Sequence, residues 1–266
     1  MPANCLFRLN TAIWTLDHSA AIQLQRPGEP YPGWCPCYLI DHPEGVVLFD
    51  TGVSHEMAAD PGNYGPHGAP HMVDLVESLD TEAGRPPAEA LSALGYEPAD
   101  VDYVVCSHLH TDHAGNLDAF PEATVVVQKR ELRYAFWPDG VQGLFYLTGD
   151  LLPLKRGDRE VLAVTGEYDV FGDGSVVAFP TPGHTPGHQS LSVALDSGRL
   201  ILAADVANSR EGYESELVPA FVWSLEDSIE SIRTVENRAR LADARVIVHH
   251  DPDEQATLPD PPDALR

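Results

Sequence analysis

The sequence predicts an α/β fold, and three observations carry that prediction. Short apolar runs of strand length recur along the 266 residues, helical patterns separate many of them, and several runs end in a histidine or an aspartate. Strand ends gathered at one rim of a sheet can build a site from residues far apart in sequence, so the pattern that points to the fold also locates the chemistry.

A first strand is expected near residues 5–9, followed by an irregular stretch to Gly33. A hairpin of strands 37–40 and 46–49 turns at Asp41-His42-Pro43-Glu44-Gly45. Residues 62–70, rich in Gly, Pro and His, read as a loop, and helical patterns follow at 72–79 and 87–94, the second stopped by Gly95. Residues 101–106 form a buried strand, and the polar segment after it runs into a short helix around 114–120. Val125-Val126-Val127 centres a strand at 124–128, with a helical turn at 130–136. In the second half, strands are expected at 161–165, 176–179, 190–195 and 199–203, the last pair joined by Asp196-Ser197-Gly198. Residues 225–241 make the best amphipathic helix, with Ile229, Ile232, Val235 and Ala239 on one side. Residues 246–248 close the sheet, and the Pro-rich acidic tail reads as irregular.

The segment after the 101–106 strand carries the densest chemistry. His108-Leu109-His110-Thr111-Asp112-His113 places four metal-capable side chains in six residues. Imidazole and carboxylate suit zinc or a similar first-row ion, and this cluster offers more donors than one tetrahedral ion can use, so the spacing points to two metals. In an extended segment i and i+2 face the same way, so His108 and His110 can grip one ion while Asp112 and His113 face another. Further donors end other apolar runs: His184 and His188 in Thr181-Pro182-Gly183-His184-Thr185-Pro186-Gly187-His188, Asp205 after 200–204, and His249-His250-Asp251 after 246–248. Spacing alone does not choose between His184 and His188, or between His249 and His250.

Composition bounds the class. At 43% hydrophobic, the chain can bury one large core, and residues 1–266 are read as a single domain. No run approaches eighteen apolar residues, and residues 1–10 lack the basic start and apolar centre of a secretory signal, so a soluble cytoplasmic protein without a membrane partner is expected. Acidic residues number 41 against 16 basic, for a net charge of −25, with Lys129 and Lys155 the only lysines. Such a field repels phosphates, which argues against a nucleic-acid partner. The acid-rich, lysine-poor balance matches a halophilic cytoplasm, where molar salt shortens the screening length to roughly 3 Å. Cys5, Cys35, Cys37 and Cys106 form no C-x-x-C pair; Cys106 reads as a small core residue, and a separate soft metal site at Cys35 and Cys37 is not expected. No G-x-S-x-G elbow or P-loop is present.

These motifs together resemble the metallo-β-lactamase superfamily: H-x-H-x-D-H at 108–113, T-P-G-H at 181–184, Asp205, His250, and Asp50-Thr51-Gly52 after an apolar run. Within it the chain is similar to the N-acyl-homoserine lactonase group, through Leu16-Asp17-His18-Ser19, Cys37-Tyr38-Leu39-Ile40, Ser107-His108-Leu109-His110 and Pro182-Gly183-His184-Thr185-Pro186-Gly187-His188-Gln189-Ser190. The resemblance implies an αββα sandwich, two mixed sheets flanked by helices. It also implies two divalent ions, zinc by default with iron, manganese or cobalt as alternatives. His108, His110 and His184 would hold the first, Asp112, His113 and His250 the second, and Asp205 would bridge them. Asp50 would orient an imidazole.

The implied reaction is the opening of a lactone ring by a hydroxide shared between the ions, because metal binding lowers the pKa of water from about 15.7 towards about 7. Asp112 would shuttle the proton. The group's usual substrate-contacting Tyr, three residues after the bridging Asp, is replaced by Asn208, and Tyr213 is the candidate substitute. An acyl-lactone or ester substrate would bind among Trp14, Leu16, Tyr31 and Trp34, with Tyr134, Phe136, Trp137, Phe145 and Tyr146. A homodimer is implied by resemblance alone. The competing readings are a thioester or ester hydrolase of the same fold and a non-catalytic metal-dependent ligand binder. His18, His42, His55, His67 and His71 are read as solvated turn residues, with His18 the one nearest the pocket.

Overall fold

The computed structural model describes residues 1–64, 76–157 and 159–266. Along the chain come β1 (Cys5–Asp17), β2 (Pro30–His42), β3 (Gly45–Phe49), β4 (Leu79–Asp80), β5 (Val101–Val105), β6 (Thr124–Gln128) and β7 (Val161–Val164). They form one sheet in the order β4-β1-β2-β3-β5-β6-β7. The second sheet has the order β12-β11-β10-β9-β8, built from β8 (Tyr168–Asp169), β9 (Val176–Pro180), β10 (Gln189–Leu195), β11 (Gly198–Leu202) and β12 (Ala244–Ile247). Both sheets are mixed: β3, β5, β6 and β7 pair in parallel, as do β11 and β12, and the other pairings are antiparallel.

Alternation along the strands divides the side chains into layers. Val47 and Phe49 of β3, Tyr38 and Ile40 of β2 and Val126 of β6 meet Leu191, Val193, Leu200 and Leu202 of the second sheet, forming the core between the sheets. Leu48, Leu39, Val125 and Val127 point the other way, onto Leu91, Leu117, Phe120 and Ala135 from the helical layer. On the far side, Ile201 and Val246 pack against Ile232, Val235 and Ala239 of the helix Leu225–Ala242. Three apolar interfaces separate four layers, which is the αββα sandwich implied by the motifs.

Several boundaries differ from the sequence reading. β1 continues to Asp17 through a register shift between Asn10 and Ile13, and β2 begins at Pro30, where an irregular stretch was expected. Three prolines obscured β2, since each lacks a ladder donor. Gly33 admits the partner strand there: a Cβ would lie 2.4 Å from the Trp14 ring. The tail is not irregular throughout, because Asp251 caps a helix at Pro252–Ala256 by accepting from Glu254 N at 2.8 Å, with Pro252 at its first turn. The expected loop at 62–70 and the start of the helix at 72–79 fall largely outside the described residues, and Leu79 belongs to β4 instead. The four cysteines are free and buried. Among the described residues, no helix is long and apolar enough to cross a membrane.

Candidate metal centre

Every donor segment leaves the carboxyl end of a strand at one rim: Asp50 after β3, His108 to His113 after β5, His184 after β9, Asp205 after β11, and His249 and His250 after β12. Two of these exits need left-handed backbone at residues other than glycine, Asp50 at φ 60° and Ala204 at φ 50°. Such a conformation costs roughly 1–2 kcal/mol per residue. Fully burying one large apolar side chain contributes roughly 1.5–3 kcal/mol, so neighbours such as Phe49 and Leu202 offset the strain.

The first donor group is His108, His110 and His184, whose ligand atoms lie within 4.8 Å of one another. His110 Nδ1 is 3.0 Å from His184 Nε2, and His108 Nε2 is buried without a hydrogen-bond partner among the described residues. Burial pushes His110 and His184 down to about 3 and His108 well below its ordinary value, so these rings are neutral, the form a metal requires. Gln142 Oε1 accepts from His110 Nε2 at 3.0 Å, which leaves Nδ1 free to face its neighbours.

The second group centres on Asp205. Its Oδ1 lies 3.2 Å from His113 Nε2 and 3.1 Å from His250 Nε2, yet neither approach has hydrogen-bond geometry, and Oδ1 and His113 Nε2 are both buried without a partner. Asp205 Oδ2 is 3.3 Å from His184 Nε2, so one carboxylate touches both donor groups. Asp112 Oδ2 stands 3.7 Å from His113 Nε2 and from His250 Nε2. Burial opposes charge on His113 and His250, but Asp205 and Asp112 outweigh it and raise both rings. Burial likewise opposes charge on Asp205, and His250, His113 and His184 hold it well below the usual carboxylate range. His250 Nε2 also hydrogen-bonds Asp205 Oδ2 at 3.3 Å. Ring nitrogens converging on carboxylates that demand positive charge, with Asp205 Oδ1, His108 Nε2 and His113 Nε2 unpartnered among the described residues, fit two divalent ions.

The supporting residues were only partly legible. Asp50 Oδ2 accepts from His113 Nδ1 at 2.9 Å and its Oδ1 accepts from Ser107 N at 2.6 Å, the orienting role the sequence implied. His188 lies behind the site, accepting from Asp205 N at 3.0 Å, so of the two T-P-G-H histidines it is His184 that meets His110. His249 is buried with both ring nitrogens unpartnered, and it stacks on His113 at 4.6 Å. Its ligand atom also lies within 4.8 Å of those of His113 and His250.

Gln142 and Glu131 escaped the sequence reading because neither sits in a motif. Glu131 is fully buried and accepts from Leu109 N at 3.0 Å, Tyr146 Oη at 2.8 Å, Thr185 Oγ1 at 2.7 Å and Gly187 N at 3.2 Å. It thereby ties the 108–113 loop to the 181–188 loop. Gly187 permits this closeness, since a Cβ there would lie 2.1 Å from Glu131 N.

A pocket opens onto His110, Asp112, His184, Asp205 and His250. Its apolar wall includes Trp14, Leu16 and Phe145, as expected, and also Val53, Leu79 and Phe221, which were not. Tyr31, Trp34, Tyr134, Phe136, Trp137 and Tyr146 do not line it: Tyr146 is spent on Glu131, and Tyr31 donates to Asn208 O at 2.9 Å. Asn208 does line the pocket, with its Oδ1 buried and unpartnered. The candidate role for Tyr213 is overturned, because its ring packs among Phe179, Ile201 and Val206 in the outer core. His18 and His42 are buried rather than solvated; His42 stacks on Phe171 at 4.1 Å, and His18 lies against Tyr31. His55 Nε2 is 2.7 Å from Thr11 O, and His67 and His71 lie outside the described residues.

Asp150, in the helix Thr148–Leu151, is buried, with Thr111 as the polar side chain that stabilises its charge and no well-formed hydrogen bond to either oxygen among the described residues. Burial, reinforced by Asp112 and Asp118 and opposed by Thr111, pushes its carboxyl up to about 8. A folded-state value above the unfolded one means that the folded protein retains this proton. Its stabilising effect is therefore complete below pH 3.8 and is lost as pH rises towards 8. Asp150→Asn is expected to stabilise metal-free protein at pH 8 by on the order of several kcal/mol, and much less at pH 4. Urea midpoints at the two pH values check this, and an equal gain at both would contradict it.

The sandwich and its histidine–aspartate rim together define a protein with the centre of a metal-dependent hydrolase. The chain belongs to the metallo-beta-lactamase superfamily, whose family model matches residues 31–250. It is 39% identical over 245 residues to the N-acyl homoserine lactonase AttM of Rhizobium radiobacter, with 90% of each chain covered. It is 30% identical over 243 residues, again 90% of each, to the N-acyl homoserine lactonase AiiA of Bacillus thuringiensis subsp. kurstaki. Among solved structures it is similar to an N-acyl homoserine lactone hydrolase with the product N-hexanoyl-L-homoserine bound at the catalytic metal centre: TM-score 0.83, 27% identity, all of both chains covered.

Proposed function

We propose that this protein is a dinuclear metal-dependent hydrolase that opens the ring of an N-acyl homoserine lactone or a similar lactone. The observation that carries this reading is the approach of one Asp205 carboxylate to both donor groups beside an apolar pocket. The relatives named as lactonases, and the neighbour with its product at a metal centre, support it. His108, His110 and His184 would hold one ion, Asp112, His113 and His250 the other, with Asp205 between them, and zinc suits this nitrogen and oxygen set. Bound there, two divalent ions supply an acidified water and polarise the scissile carbonyl.

The chain's own groups account for the rest. Trp14, Leu16, Phe145 and Phe221 give the acyl chain an apolar wall and exclude water. Asn208 Oδ1 offers an acceptor to a ligand N–H, such as that of an acyl amide. Asp112, 22% exposed and facing the pocket, would take the proton that the attacking water gives up onto a carboxylate oxygen and pass it to the ring oxygen as the C–O bond breaks.

Elemental analysis of the purified protein, combined with pH-stat assays at high salt, tests this. Acyl homoserine lactones, simple lactones, aryl esters and thioesters should separate, with lactones opened fastest. Metal-loaded protein inert across the whole panel would favour a ligand binder. His250→Ala is expected to lose metal and turnover far more than His249→Ala, because His250 approaches the bridging carboxylate at 3.1 Å whereas His249 stacks behind His113. Equal metal content in the two variants would refute that assignment. The acidic surplus is read as adaptation to a salt-rich cytoplasm: unfolding midpoints should rise from low to molar potassium chloride, and a flat response ends that reading.

A further inference from the structure

We propose that Cys35 supplies a thiolate to the second ion, making that site a mixed sulfur, nitrogen and oxygen site. The inference rests on the dinuclear reading above and adds a ligand that the family resemblance does not imply. Cys35 is free and fully buried on β2. Its Sγ, an Asp112 carboxylate oxygen and a His250 ring nitrogen all lie within 4.8 Å of one another. Donors bound to one ion at about 2.0–2.3 Å lie at most roughly 4.6 Å apart, so closing on a common ion takes only small side-chain shifts. Beside His250, Asp205 Oδ1 and His113 Nε2 are buried with no hydrogen-bond partner among the described residues, an independent sign that a cation belongs among these groups.

The backbone holds Cys35 in register with the site. Cys35 N donates to Asn10 Oδ1 at 3.2 Å, and Cys35 O accepts from Thr11 Oγ1 at 2.7 Å. The preceding residue, Trp34, accepts from His250 Nδ1 through its carbonyl at 2.5 Å, so one short piece of β2 both orients the imidazole and presents the sulfur. Cys5, Cys37 and Cys106 lie in the apolar layer between the first sheet and its helices, whereas Cys35 packs in a smaller apolar cluster with Ala12, Trp14 and Met57 and reaches Asp112 and His250 from there. A thiolate is soft, so this site should favour zinc and cadmium over manganese and magnesium more strongly than an all nitrogen and oxygen site would.

Cobalt loading of the full-length protein reads this directly. At two cobalt ions per chain, a sulfur-to-cobalt charge-transfer band is expected in the near ultraviolet and should vanish in Cys35→Val and Cys35→Ser. Cadmium affinity should fall at least about tenfold in both variants, with manganese affinity little changed. Should the variants fold poorly, X-ray absorption of the zinc-loaded unmodified protein should still find a sulfur neighbour at about 2.3 Å. Two bound ions with neither band nor sulfur neighbour, or a band that survives Cys35→Val, would overturn the inference and leave the dinuclear reading standing. Failure of the unmodified protein to take up ions would overturn that reading, and this inference with it.

Discussion

Replacing Asp205 with alanine is expected to empty both ion sites together and to lower lactone turnover by more than the roughly 10²–10³-fold typical of losing one transition-state contact. The reason lies in what surrounds the carboxylate. Oδ1 faces His113 and His250 while Oδ2 faces His184 and hydrogen-bonds His250, so removal takes a carboxylate from both donor groups and leaves several buried imidazoles without their central negative charge. Asp205 sits after β11, outside the apolar layers that hold the sheets, so circular dichroism should stay near that of the parent. Mass spectrometry of bound metals is the deciding measurement. Retention of both ions, or of one at full strength, would remove Asp205 from the bridging position.

Glu131→Gln should produce the second large effect although the residue faces away from the pocket. The parent carboxylate receives two hydrogen bonds on each oxygen, from Leu109 N and Tyr146 Oη on one side and from Thr185 Oγ1 and Gly187 N on the other. A glutamine must present an NH2 group to one of these pairs. The hydroxyl of that pair can turn to accept, but the backbone N–H cannot, so the two ligand loops are pushed apart on one side. We expect affinity for the first ion to fall by roughly 10–100-fold, the range for partners that orient metal ligands. Glu131→Ala should also destabilise the fold, by about 1–3 kcal/mol or more. Chelator competition separates the two effects: unchanged ion affinity in Glu131→Gln, with only a lowered melting temperature, would reduce the residue to a packing role.

Much of this candidate centre is legible in the sequence. Histidine and aspartate at 108–113, together with donors that end apolar runs, announce the chemistry because strand ends and metal-capable side chains are local properties of a chain. Asp50 was also readable, as a carboxylate at a strand end. Glu131 and Gln142 were not, since each bonds partners more than 20 residues away and neither stands in a recognisable spacing. Tyr213 shows the opposite failure. Proximity to Asn208 in sequence made it a candidate, but the helix Arg210–Glu214 turns its ring into the outer core.

Periodicity and end residues thus told which strands exist, which faces they bury, and that two cations are expected at their rim, because alternation and ligand chemistry are written residue by residue. Packing had to settle the rest: which of two neighbouring histidines meets the Asp205 carboxylate, how one buried glutamate clamps two loops, and which aromatic rings wall the pocket. Those outcomes depend on distances across the sandwich, and a distance between remote segments has no signature in either segment alone.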